Sequence, residues 1–179
     1  MGRRVADASR LLLVNFWVLG ADSVDAPKRD GLGRWERIKS ESNSLLAGML
    51  ARALAEAGHP DEAWSIAEGV RGSAYASSHS AYLWKSAEAM VLARADRLEL
   101  AERLAKEALR DVRQTEFTWI IADQLMVLAD VLHRRGHEGE ALAAAGEALE
   151  LYVGKGIVTS AERARSLLRT IGSRMSGGA

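Results

Sequence analysis

His133 and His137 stand four residues apart, a spacing at which one helix face can present two nitrogens to a metal. Gly136 falls between them at an expected helix end, which takes them off a common face, and no third ligand follows at matching spacing. Cysteine is absent, so thiolate metal sites, thiol nucleophiles and disulfides are excluded. Gly154–Lys155–Gly156 has the look of a phosphate loop. That loop needs an earlier glycine, a strand ahead of it and Ser or Thr after the lysine. Here the earlier place is Leu149, the next residue is Gly156 and a helix precedes, so a helix-ending turn is expected. Gly31–Leu32–Gly33 fails as a dinucleotide fingerprint because position 36 is Glu. Serines crowd residues 73–80 around His79, but a nucleophile needs an oriented base and an oxyanion site. Ser77–Ser80 reads instead as the start of a helix. No catalytic, cofactor-binding or metal-ligating residue is assigned, and the chain is read as no enzyme.

What remains is binding, which depends on how helices place their side chains. Ala and Leu dominate the 179 residues, Pro occurs only at positions 27 and 60, and no segment alternates like a sheet strand, so the chain reads as all-α. A hydrophobic fraction of 48% excludes a mainly disordered chain. Lys and Arg number 24 and so do Asp and Glu, which offers no general field for nucleic acid or an anionic membrane. Without cysteine, a reducing cytoplasm is the expected setting.

Three segments align without gaps: residues 45–70, 83–109 and 123–149. Their shared anchor is Ala63, Ala101 and Ala141, at steps of 38 and 40 residues. Twelve residues earlier stand Ala51, Ala89 and Ala129; nine earlier stand Leu54, Leu92 and Leu132. Four residues after the anchor come Ala67, Ala105 and Ala145, and five before it lie Gly58, Asp96 and Gly136. Small side chains let two helices approach to about 8 Å, and Gly or Asp tolerates the left-handed turn between them. Around Ala101, Ala105 and Ala108, the flanks are filled by Leu98, Leu104, Leu109 and Val112. Pro60 suits a first helical turn. Thr115 is expected to cap the helix carrying Trp119, and Thr159–Glu162 to form a capping box. Trp84 and Trp119 are expected to staple neighbouring hairpins.

These segments resemble tetratricopeptide (TPR) repeats, although the first helices lack the usual tryptophan-leucine-glycine signature. Residues 147–168, EALELYVGKGIVTSAERARSLL, are similar to the C-terminal TPR region of large actinobacterial regulators that join an ATP-binding module to a nucleotide-cyclase or LuxR-type domain. The resemblance covers roughly residues 40–172 and implies a TPR-like right-handed α-solenoid. Three hairpins are expected at residues 42–76, 77–114 and 115–155, with a capping helix at 159–172, all within a repeat domain at 41–175. That helix should bury Ala161, Ala164, Leu168 and Ile171 and turn Arg163, Arg165, Arg169 and Arg174 to water. Residues 1–40 are a separate N-terminal region. Met1–Arg10 holds three arginines and Leu11–Ala21 is apolar apart from Asn15; a buried helix over 5–20 is expected rather than a signal peptide. Residues 22–40, with Pro27, Gly31 and Gly33, read as a linker.

In such a stack the first helices line a concave groove. The implied groove residues are Arg52, Leu83, Ser86, Met90, Asp123, Met126, Asp130 and His133, with Leu45, Gly48, Ala55 and Ala93 at equivalent places. The Lys/Asn carboxylate clamp of chaperone-binding TPRs is not matched. The expected role is a scaffold for a protein or peptide partner in bacterial signalling or transcriptional regulation, with no direct nucleic-acid or membrane contact. The alternatives are a small-molecule sensor for an output domain and a self-assembling element such as a homodimer. Whether the chain is a free-standing module or a fragment stays open, as does a groove filled by the N-terminal helix itself.

Overall fold

The computed structural model describes residues 32–72 and 81–177, with side chains from Ser44 onward. Regular structure among them is entirely helical: α1 (Leu32–Ala57), α2 (Pro60–Arg71), α3 (Ala81–Arg94), α4 (Leu98–Val112), α5 (Thr118–Arg134), α6 (Glu138–Gly154) and α7 (Val158–Gly177). No described helix is long and apolar enough to cross a membrane. The expected helix over 5–20 and the serine segment 73–80 lie outside the described residues.

Each helix packs against the next, and α1 meets α3, α3 meets α5 and α5 meets α7. The odd helices therefore form one row, and α2, α4 and α6 lie against it. The reason for this close approach is the alanine seam. Ala51, Ala63, Ala67, Ala89, Ala101, Ala129, Ala141 and Ala145 are fully buried, and Ala105 is so to within a trace. The expected flank of α4 holds too, with Leu109 and Val112 buried and Leu98 and Leu104 half-buried. Where even alanine is too large, glycine serves. A Cβ on Gly48 of α1 would stand 2.8 Å from Leu83 Cβ of α3.

The turns are built alike. Gly58, Asp96 and Gly136 all have positive φ. The next residue donates its N–H back to Leu54, Leu92 and Leu132 respectively, each at 2.9 Å. This is the left-handed C-terminal cap that satisfies a helix's orphan carbonyls. It occurs a fourth time, at Gly156 between α6 and α7, where Ile157 N–H donates to Tyr152 O at 2.9 Å and Ala161 is buried. The pattern thus continues into α7, which joins the odd row as its next member. Pro60 opens α2 as expected.

Several expectations are corrected. Residues 32–40 are helical, so a boundary at residue 40 would cut α1; the charged residues Arg34, Glu36, Arg37 and Lys39 are good helix formers and outweigh Gly33. Helix α7 starts at Val158, which puts Thr159 and Ser160 inside its first turn rather than at a cap, and it runs on past residue 172 to Gly177. Thr115 serves the end of α4, donating to Val112 O at 2.7 Å, while α5 begins after Phe117 without a side-chain cap. Trp84 is buried among Ala51, Ala67, Val70 and Ala87, and so ties α1 and α2 to α3. Trp119, by contrast, is 46% exposed. On α7, Ala161, Ala164 and Ile171 are buried and Leu168 half-buried; Arg163, Arg169 and Arg174 face water, and Arg165 is half-buried.

Candidate functional site

A concave cavity of about 400 Å³ opens on the odd row. Its walls come from Arg52 and Glu56 of α1, Met90 of α3, and Asp123, Met126, Val127 and Asp130 of α5. Tyr152 of α6 closes one side, and Ser160, Arg163, Ser166, Leu167 and Thr170 of α7 form the far wall. Five of the eight expected groove residues are therefore brought together: Arg52, Met90, Asp123, Met126 and Asp130.

The other three do not line the cavity. Ser86 is fully buried and donates a hydrogen bond to Gln124 Oε1 across the α3–α5 seam. Leu83 is buried against Gly48 in the α1–α3 seam. The helical spacing that groups Leu83, Ser86 and Met90 is sound, but α1 and α5 cover the first two, because the middle helix of a row is flanked on both sides. His133 turns away toward α6, where its Nδ1 lies 2.7 Å from Glu138 Oε2, and Arg174 of α7 reaches the other Glu138 oxygen at 3.6 Å. His137 faces Glu102 and Glu140, so the two histidines serve different partners. No group of three or more His, Cys, Asp or Glu among the described residues has the arrangement of a metal site.

At the waist of the cavity is a linked set. Arg52 Nη2 lies 3.1 Å from Asp123 Oδ2, and its Nε donates to Glu56 Oε1 at 3.2 Å. Asp123 Oδ1 accepts a hydrogen bond from the Tyr152 hydroxyl. One carboxylate therefore fixes α1, α5 and α6 together. Burial pushes the Tyr152 hydroxyl far above the ordinary tyrosine range, and its bond to Asp123 pushes the same way. Tyr82, buried nearby, is also raised, by burial first, with Arg52 opposing and Asp123 adding. Tyr152 is thus held as a neutral phenol that donates. Such a set can orient a polar group of a ligand, and its apolar complement is Met90, Met126, Val127 and Leu167. Methionine adapts its shape to varied partners. Arg163 on the outer wall has no ion pair within 4 Å among the described residues, which leaves it available to an acidic group.

Glu56, Tyr152 and the α7 wall were missed by sequence reasoning, which treated α7 as a cap. A signal was present. Ser160, Arg163, Leu167 and Thr170 recur at helical spacing on one face, and the Gly156–Ala161 turn repeats the grammar of the three earlier ones.

A second, shallower cleft lies on α4, among Glu99, Glu102, Arg103, Lys106, Glu107, Arg110 and Arg135. Burial raises the Glu102 carboxyl, but hydrogen bonds from Lys106 and Arg135 outweigh it and hold it below the usual range. Arg135 pairs with Glu99 and Glu102, which joins α4 to the α5–α6 turn, while Glu107 lies 3.7 Å from Lys85 of α3. Comparison with protein-family models, with curated proteins and with solved structures finds no match.

Proposed function

We infer that the chain is a TPR-like right-handed α-solenoid that docks a protein or peptide in the concave face of its odd helices. The observation that carries this reading is the cavity, where Arg52, Met90, Asp123, Met126 and Asp130 from three helices share one surface. Met90 and Met126 give that surface an apolar strip, and the Arg52–Asp123–Tyr152 set gives it orientation. Helix-in-groove or extended-peptide binding suits such a mixture. The resemblance to repeats of multidomain regulators points to bacterial signal transduction or transcriptional regulation, in the cytoplasm, with no catalytic role. Affinity capture with the wild-type chain, with Arg52→Glu/Asp130→Lys, and with Arg110→Glu on the far side tests it. A partner kept by wild type and Arg110→Glu but lost by the groove variant is expected. Identical partner sets for all three would refute the groove.

One observation favours a second reading. About 400 Å³ is enough for a small metabolite, so the same cavity suits a sensor module that gates a partner's output domain. A saturable thermal shift with a nucleotide or metabolite separates this from peptide docking.

A further inference from the structure

Among the described residues, every charged side chain that lines the cavity has a partner except one. Arg52 lies between Glu56 and Asp123, at 3.2 and 3.1 Å. Asp130 accepts from Arg134 Nε at 2.8 Å. Arg163 of α7 has no ion pair, and it stands near enough to the Tyr152 hydroxyl to act on it through space. The Ser160 and Ser166 hydroxyls, three residues to either side, have no hydrogen-bond partner among the described residues. At that spacing they share a helix face with Arg163. The polar capacity left over in the cavity is thus gathered on the α7 wall, as one guanidinium and two hydroxyls. Beside it the lining is apolar, from Leu167 of α7, Met90 of α3 and Met126 and Val127 of α5.

We propose that the α7 wall selects an aspartate or glutamate side chain of an extended peptide partner, whose neighbouring apolar side chain rests on Met90 and Met126. The proposal rests on the reading of this face as a docking groove and adds the chemistry of the occupant. A guanidinium takes a carboxylate through two parallel N–H bonds, and the serine hydroxyls can donate to its remaining lone pairs. The α1 side of the cavity sets the limit on charge. There one guanidinium stands between two carboxylates, an excess of one negative charge. A singly charged carboxylate tolerates that field, whereas a phosphate group, nearly doubly charged and held by a single free arginine, is repelled by it. Glu56 on one wall and Arg163, Ser166 and Thr170 on the other stay exposed. The cavity is therefore an open trough along which a chain can lie, where a free metabolite would keep much of its surface in water.

Fluorescence anisotropy of the full chain with a library of short peptides, acetylated and amidated so that their ends carry no charge, tests this. The peptides that bind are expected to share an aspartate or glutamate near a leucine, methionine or phenylalanine. Replacing that carboxylate by its amide, and Arg163→Gln in the protein, should each weaken binding about three- to tenfold, and the two together no further. Arg163→Glu is expected to turn the preference toward lysine or arginine. Arg169→Gln, equally exposed on α7 but outside the cavity, is expected to change nothing. Arg163→Gln should melt as the wild type does, because no ion pair is lost. Binding without an acidic preference overturns the proposal, as does a preference that survives Arg163→Gln, or no binding by any peptide. Tighter binding of phosphoserine in place of the carboxylate, or of free glutarate than of the peptides, also overturns it. The groove reading fails separately, through partner capture unchanged by Arg52→Glu/Asp130→Lys.

Discussion

Arg52 Nη2 of α1 and Asp123 Oδ2 of α5 lie 3.1 Å apart, an ion pair that reaches past α3 to join the first and third helices of one row. Both side chains are largely buried, at 14% and 23% exposure, so solvent screens the pair less than it would at the surface. Asp123 also accepts from Tyr152, and removal of its carboxylate would leave two donors short of an acceptor. Asp123→Ala is expected to cost about 1–3 kcal/mol. A double-mutant cycle with Arg52→Ala by chemical denaturation should give a coupling on the order of 0.5–3 kcal/mol. Strict additivity would mean the pair contributes nothing to the row.

Ala101 is fully buried where α3 and α4 meet, near Leu92, Ala93 and Val131. Ala101→Trp forces an indole into that seam. Overpacking costs roughly 1–3 kcal/mol. In a domain of this size each kcal/mol moves the melting temperature by about 2–4 °C. An unchanged melting curve would mean the alanine is not a seam residue.

Gly48→Ala is expected to destabilise by a similar margin, because the new Cβ meets Leu83 Cβ at 2.8 Å. The clash is with the side-chain carbon bonded to the backbone, which alanine keeps. Leu83→Ala therefore should not rescue it, and a rescue seen in the melting temperature would show that the outer leucine carbons were the obstacle.

Glu88 is 2% exposed, and burial raises its carboxyl above the usual range, with Arg71 opposing at 3.4 Å and Glu68 adding. A raised folded-state value means that the protonated form is favoured by folding. Its contribution is fully present below the unfolded carboxylate range near pH 4.5 and is lost as pH rises through the raised folded value. Glu88→Gln should flatten this part of the stability–pH curve and raise the melting temperature at neutral pH. A variant that melts lower at neutral pH would show that the Arg71 pair outweighs burial.

The helices and their buried alanines were legible because helix contact at short range demands small residues, and that demand leaves a period in the chain. Ala63, Ala101 and Ala141 all sit where their spacing put them. The cavity was half legible. Spacing along one helix identifies a face but not what covers it, which is why Ser86 and Leu83 fell in seams while Met90, one turn on, reached the cavity. His133 departed for another reason: at a helix end its ring can turn to the next helix, where Glu138 binds it. The contribution of α7 was hidden because its turn follows Ala141 by 20 residues to Ala161 rather than by a whole repeat. The start of α1 was obscured by charge, which marks solvent exposure in helices and loops alike.

The proposed groove is tested most directly by hydrogen exchange with the captured partner bound. Slower exchange is predicted in three stretches, around Arg52–Glu56, Asp123–Asp130 and Ser160–Thr170, with Glu99–Arg110 of α4 unchanged. Slowing confined to α4, with the three cavity stretches unaltered, would contradict the account.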